Sequence, residues 1–482
     1  MGHPELADAK RLSGVLVDGR WLEDGPESPV LDKYWRRPVA TVACASAEHV
    51  DAALDAAWRV AEGEPLPPRR RAEVLEAAAG LLASRAEEVV GRYVDETGFT
   101  VRDAETELAR TREILRLCAE EARRIAGEVV PIAGAPGGEG RLSFTLRVPV
   151  GVVVAISPFN APLSTVAHKV GPALAAGNAV VLKPASATPL SAIHLCRALC
   201  DAGLPPGHLG LVCGPGSIVG ERLVPDRRVR YFSFTGSTRV GLLVKQRSGI
   251  AKTQLELGAN SATIVCADAD LDLAAQLVVR GGYRKAGQVC TSVQRVLVEE
   301  AVARDLEDEL ARRVKALRVG DPHLEGTDVG PMIAEEEAAR ALGWVDEAVA
   351  AGARLLAGGT RSGPVLEPTL LGDVPLECRI MRDEIFAPVV ALHRVADLDE
   401  AISVANATAY GLQAGVFTRS LDGALRAVRA LRVGGVLVND TSSYHADLMP
   451  YGGVKDSGYG LEGPRYAVAD MTDTRTVVIR AS

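Results

Sequence analysis

Residues 151–185 read GVVVAISPFN (151–160), APLSTVA (161–167), HKVGPALAAG (168–177) and NAVVLKPA (178–185). The first and last pieces are short β-branched apolar runs, which predicts strands buried on both faces. The piece between them predicts a helix that ends at Gly177, since glycine suits the left-handed residue past a helix end. The alternation continues downstream. SAIHLCRALCDAG (191–203) reads as a helix with Gly203 past its end, and LGLVCGPG (209–216) as a strand. VRYFSFTGS (229–237) and TQLELGANSATIV (253–265) extend the series. Strands alternating with helices imply a parallel sheet covered on both faces. Such sheets bind ligands beyond the carboxyl ends of their strands.

Upstream, the pattern is α-rich. Val50, Leu54, Ala57 and Trp58 fall at helical spacing, with Ser46 as the N-cap. Two more helices are predicted, over 71–90 and about 104–125. The stretch PIAGAPGGEGR (131–141) separates two extended runs, GEVV and LSFTLRVPV, and reads as a hairpin. A second α/β series begins near Asn260 and runs to VGGVLVND (433–440). The tail TRTVVIRAS (474–482) reads as a strand with no partner nearby in the sequence.

Bulk properties narrow the classes. The chain has 482 residues, room for two or three domains. Lys and Arg number 54 against 62 Asp and Glu, a net charge of −8. Sequence-blind nucleic-acid binding wants the opposite sign. The basic run Pro68–Arg71 reads as a solvated helix start. Eight cysteines are scattered without a CxxC pair. Cys196 and Cys200, with His194 nearby, are too few for zinc, so no metal is expected. Free cysteines suit a reducing, cytoplasmic setting. The start MGHPELADAK has no apolar core of a secretory signal. Leu6 stands where myristoylation wants Ser or Thr. The apolar runs are too short to span a bilayer.

No GxGxxG turn and no P-loop is present. Cys290, in KAGQVCTSVQR (285–295), stands in polar surroundings unusual for a filler cysteine. The chain resembles the aldehyde dehydrogenase superfamily over nearly its whole length. The motifs that carry the resemblance are PFNAPL (158–163), VVLKPASATPLSA (180–192), FTGST (234–238), LELGANSA (255–262), GQVCTS (287–292), EIFAPV (384–389) and YGGVKDSGYG (451–460). The resemblance implies two Rossmann-like α/β domains and a β arm. The NAD(P)-binding domain would span 1–126 and 150–258, the catalytic domain 259–455, and the oligomerisation arm 127–149 and 456–482.

It also implies chemistry. Aldehyde oxidation needs a nucleophile to form a thiohemiacetal, and a thiolate is the competent form. Cys290 is that candidate. The developing oxyanion needs preorganised donors, implied to be the Asn160 amide and the Cys290 N–H. Thioester hydrolysis needs a general base. Glu256, in the apolar setting QLELG, is the candidate, and its presence favours hydrolysis over transfer to coenzyme A.

For the cofactor, NAD or NADP, the resemblance implies Lys183 at the adenosine ribose and Gly216, Gly220 and Ser237 at the pyrophosphate. Glu384 would hold the nicotinamide ribose beside Phe386. Ile156, Ser157, Pro158 and Phe159 would flank the nicotinamide half, with Phe234 and Leu257 in the same site. Strict NAD+ users often carry a glutamate three residues after the lysine; this chain has Ser186. Losing that charge admits a 2′-phosphate, so dual or NADP-leaning use is expected. Leu461 stands where many relatives have arginine, and nothing catalytic follows from it.

The details resemble most the branch of lactaldehyde and phosphonoaldehyde dehydrogenases, which points to a small anionic aldehyde. Arg110, Arg284, Thr291 and His445 are the candidate substrate contacts, with Lys285 near by, since arginine suits carboxylate, phosphonate or phosphate. The alternatives are a non-phosphorylating glyceraldehyde-3-phosphate dehydrogenase, an aromatic aldehyde dehydrogenase, or an inactive homologue kept as a binding protein. The final strand is expected to pair with another subunit, giving a homodimer or homotetramer.

Overall fold

The computed structural model describes residues 10–480. The readings of the extreme N-terminus, Gly2 and Leu6 among them, and of Ala481 and Ser482 lie outside the described residues.

Two open sheets carry the fold. The first has eight strands, in the order Gly458–Tyr459, Lys252–Glu256, Val229–Thr235, Val152–Ile156, Ala179–Lys183, Leu209–Val212, Val15–Val17 and Arg20–Leu22. Its five middle strands are parallel. The Val152–Ile156 strand is buried along nearly all its length, as its unbroken β-branched run requires. From it the chain proceeds to Ala179–Lys183 and Leu209–Val212 on one side, then jumps back to Val229–Thr235 on the other. The crevice beyond the ends of Val152–Ile156 and Val229–Thr235 is therefore a topological switch point, where doubly wound sheets take their ligands.

The second sheet has seven strands, in the order Arg354–Ala357, Thr369–Gly372, Val389–Val395, Arg295–Glu299, Ala262–Val265, Gln413–Phe417 and Gly435–Val438. All of its pairings are parallel except that of the Arg354–Ala357 edge. The run TQLELGANSATIV crosses from one sheet to the other: Lys252–Glu256 belongs to the first and Ala262–Val265 to the second. Glu256 thus stands at the seam.

Three local expectations differ from the structure. The helix expected over 71–90 is two helices, Pro68–Ser84 and Ala86–Thr97, broken at Arg85 with φ −110° and ψ 20°. The next, Val101–Arg124, starts at a capping box between Thr100 and Asp103. The segment before Ser46 is not simply helical, since five short strands precede it, two of them in the first sheet. Ser46 does cap the Ala47–Ala61 helix, accepting from the His49 N–H.

The tail has a partner within its own chain. Thr472–Arg480 pairs antiparallel with Arg141–Pro149 of its own chain, from Thr472 opposite Pro149 to Arg480 opposite Arg141. The partner lies more than three hundred residues away in sequence, so no local reading could find it. Val129–Val130 completes this three-stranded sheet. Of the rest of the expected arm, Gly458–Tyr459 joins the first sheet and the Pro464–Asp470 helix packs on Ser164–Ala176 and Val101–Arg124. No helix among the described residues is long and apolar enough to cross a membrane.

His323 ties the second half of the chain to the first. Its ring nitrogens lie 2.8 Å from Asp321 and 3.1 Å from Asp95, with Asp32 at 3.6 Å. Burial alone would lower its pKa, but bonding to Asp321 and Asp95 and the Asp32 charge raise it. A raised folded pKa stabilises below the unfolded value of about 6.5, and that stability is lost as pH rises through the folded pKa. His323→Gln is therefore expected to lower Tm most in mildly acidic buffer and progressively less in alkaline buffer, as thermal denaturation at both would reveal.

Candidate active site

The crevice opens into a cavity of about 790 Å³. The first sheet contributes Ile156, Ser157, Pro158, Phe159 and Asn160 after one strand, and Phe234, Thr235, Gly236 and Ser237 after its neighbour. Glu256 and Leu257 come from the seam. The second sheet's loops add Cys290, Thr291, Glu384 and Phe386. Arg110, Arg284 and His445 line the far end. Lys183, Ser186, Gly216 and Gly220 do not line this cavity, although Ala185 and Ala187 on either side of Ser186 do. Lys183 Nζ donates to the Pro184 carbonyl and Ser186 Oγ to that of Gly214, 2.9 Å away. Gly216 and Gly220 frame one wide helical turn, and a Cβ on either would meet nothing within 4 Å.

The loop before Cys290 is strained. Lys285, Ala286 and Gly287 have φ of 52°, 51° and 67°. Only glycine fits at 287, where a Cβ would lie 2.0 Å from the Ala387 carbonyl. Such backbone persists only when its surroundings over-determine it, and here they do. Buried Lys285 Nζ bonds Glu107 at 2.9 Å and the Asn160 carbonyl at 3.0 Å. Asn160 Nδ2 donates to the Gln288 carbonyl at 2.8 Å. Gln288 in turn donates to the Lys285 carbonyl and accepts from the Ile333 N–H. Burial would raise the Glu107 pKa, but Lys285 and Arg110 hold it near about 2. Lys285 is committed to this loop rather than available to a substrate.

Cys290 Sγ lies 3.0 Å from the Tyr451 hydroxyl. Burial, then the Glu256 charge, push the thiol pKa well up, while the Tyr451 hydrogen bond opposes them. Burial and Glu462 push the Glu256 carboxyl well up in turn. The Glu256 charge thus disfavours the Cys290 thiolate, while the Cys290 hydrogen bond tempers the rise at Glu256. Glu256 Oε1 is buried without a hydrogen-bond partner among the described residues. Behind it, buried Lys169 bonds Glu462 at 2.8 Å. Sequence reading missed Tyr451, Lys169 and Glu462. An aromatic, a helical lysine and a loop glutamate carry no spacing signal that separates them from core and surface.

Glu384 accepts from the Ala259 N–H at 2.8 Å, and burial lifts its pKa to about 7. Its approach needs Gly258, where a Cβ would lie 2.8 Å from Glu384 Oε2. Phe386 meets Phe159 edge to face, centroids 5.8 Å apart.

At the far end, Arg110 is already paired. It reaches Asp447 at 2.6 and 3.3 Å and donates to His445 Nδ1 at 3.1 Å. Burial and the Arg110 charge push the His445 pKa down to about 3, so its ring is neutral. Arg284 differs. Its Nε is buried without a hydrogen-bond partner, and among the described residues no carboxylate comes within ion-pairing distance. Thr291 is buried in the wall of the same cavity.

Residues 21–477 match the model of the aldehyde dehydrogenase family. The chain belongs to that family. Among its relatives is a 3-sulfolactaldehyde dehydrogenase of Priestia megaterium, 46% identical over 466 residues, covering 97% of this chain and 98% of the relative. A lactaldehyde dehydrogenase of Methanocaldococcus jannaschii is 36% identical, covering 96% and 100%. Among solved structures, aldehyde dehydrogenase 21 from Physcomitrella patens in complex with the reaction product succinate superposes with a TM-score of 0.95 at 38% identity, covering 98% of each chain. The resemblance to the lactaldehyde-type branch holds. This aldehyde dehydrogenase is an NAD(P)-dependent oxidoreductase acting on small aldehydes. The residues fit a dinucleotide: the cavity sits at the switch point, and Ser157 Oγ is buried in its wall without a partner among the described residues.

Proposed function

We propose that the enzyme oxidises a small anionic aldehyde to its carboxylic acid through Cys290. The observation that carries this reading is half-buried Arg284, in the wall of the cavity that holds Cys290, whose buried Nε has no hydrogen-bond partner among the described residues. A cation left unpaired in a partly desolvated wall is costly unless a ligand supplies the counter-charge. The sulfonated substrate named for one relative and the succinate bound to another support the same class.

Cys290 Sγ, its proton given up to solvent, attacks the carbonyl carbon as the thiolate. The oxyanion lies against the Cys290 N–H and Asn160, whose amide has a second N–H beyond the one given to Gln288. NAD(P)+, when bound, would supply the hydride acceptor; Ile156–Phe159, Phe234, Ser237, Leu257, Glu384 and Phe386 would hold it, with Lys183, Ser186, Gly216 and Gly220 toward the adenosine end. Glu256 then takes a proton from water, the hydroxide adds to the thioester carbon, and the C–S bond breaks. Ser186 brings no carboxylate to Lys183, which supports dual or NADP-leaning use. The division into an NAD(P)-binding domain, a catalytic domain and an arm, a cytoplasmic setting and a homodimer or homotetramer belong to the same reading. Exposed Leu142, Leu146, Val478 and Ile479 on the arm favour a covering subunit.

Arg284→Met is expected to raise KM for succinic semialdehyde about 10- to 100-fold, the size of one charge-assisted hydrogen bond. Kinetics on size-matched butanal should barely change. Equal effects on both would overturn the anionic reading.

A further inference from the structure

We propose that Asp447 makes this a site for one negative charge, selecting carboxylate or sulfonate monoanions over dianionic phosphate monoesters. The inference rests on the anionic reading above and adds the charge count. The charged groups of the far end pair off in turn. On the Val101–Arg124 helix, Glu107 is neutralised by Lys285 at 2.9 Å and Arg110 by Asp447 at 2.6 Å. On the Ser164–Ala176 helix, Lys169 is neutralised by Glu462 at 2.8 Å, and His168 Nε2 lies 3.0 Å from Asp447. Asp103 keeps its carboxylate charge in its helix's capping box and acts on Arg284 from outside the cavity lining; Glu256 does line the cavity, and burial pushes its carboxyl toward the neutral form. Among the described residues of the far end, the cavity-lining cation left without an ion pair is Arg284.

A carboxylate or sulfonate balances that charge. A phosphate monoester, whose second ionisation lies near about pH 6, arrives with close to two charges and leaves one buried without compensation. Arg110 would otherwise supply the second cation, since its guanidinium faces the same cavity. Asp447 withholds it. Specificity then comes from an unmatched charge against the wrong ligand as much as from contacts with the right one.

The test permutes the charges. The purified enzyme would be assayed at pH 8 with succinic semialdehyde, glyceraldehyde 3-phosphate and butanal. The wild type is expected to favour the monoanion over the dianion by about tenfold or more in kcat/KM. Asp447→Asn frees Arg110 and should shift the ratio toward the phosphate by at least about tenfold. Arg110→Met should weaken both anions, because Asp447 then opposes Arg284. The double variant, Arg110→Met with Asp447→Asn, returns the net charge to one and should restore the wild-type ratio. An unchanged ratio in Asp447→Asn, or a double variant that fails to restore it, overturns the inference. Should Asp447→Asn not fold, the double variant alone decides: a ratio departing from wild type overturns it. Preference of the wild type for butanal over both anions would sink the anionic reading itself, whereas equal use of the two anions would sink only the charge count.

Discussion

Cys290→Ala is expected to abolish aldehyde oxidation, lowering kcat/KM by about 10⁴-fold or more, as removal of a covalent nucleophile does elsewhere. The loss should be chemical rather than structural. Cys290 is half-buried but lines the cavity, whereas Cys44, Cys118, Cys196, Cys213, Cys266 and Cys378 are buried and half-buried Cys200 lies away from it. Removing a thiol that faces open space creates no buried void, so Tm should move little. The same contrast predicts that iodoacetamide labels Cys290 ahead of the other seven, at a rate that climbs with pH because burial and Glu256 keep the thiol protonated. Peptide mapping after brief alkylation reads this directly. Labelling led by another cysteine, with activity intact, would remove Cys290 from the chemistry.

Glu256→Gln should separate the two halves of the reaction. Steady-state turnover is expected to fall about 10²- to 10⁴-fold, the usual contribution of a general base. A pre-steady-state burst approaching one reduced nicotinamide per active site should persist, because the isosteric amide leaves Cys290 its Tyr451 contact and removes a charge that held the thiol protonated. Intact mass after the burst should include the acyl group on Cys290. A variant with neither burst nor turnover would mean that Glu256 is required to activate the thiol itself.

The framework was legible because apolar strands and helix stops are local signals. VVVAI at 152–156 and Gly177 at φ 92° are each explained by their own neighbours. The break at Arg85 was not, because AEVLEAAAGLLASRAEEVV consists almost wholly of helix formers and contains no proline at the break. The partner of Thr472–Arg480 leaves no local trace, since the pairing spans most of the chain; the family resemblance alone placed 127–149 and the tail in one arm. At the site, motif resemblance picked out residues that the fold gathers on one cavity, Cys290, Glu256, Asn160 and Glu384 among them. It could not show that Arg110 is cancelled by Asp447 while Arg284 is not. Arg110 lies within the Val101–Arg124 helix and Arg284 just after the Leu271–Tyr283 helix, and only tertiary packing decides which keeps a free charge. Tyr451 was likewise present only as one letter of a motif, though its hydroxyl touches the nucleophile.

The most direct test is the initial rate of reduced nicotinamide formation with succinic semialdehyde and 3-sulfolactaldehyde against butanal and a neutral aromatic aldehyde, each with NAD+ and NADP+. The anionic aldehydes are expected to exceed the neutral ones in kcat/KM by at least about tenfold, with either cofactor accepted. Preference for a neutral aldehyde would contradict the role given to Arg284 and the substrate class built on it.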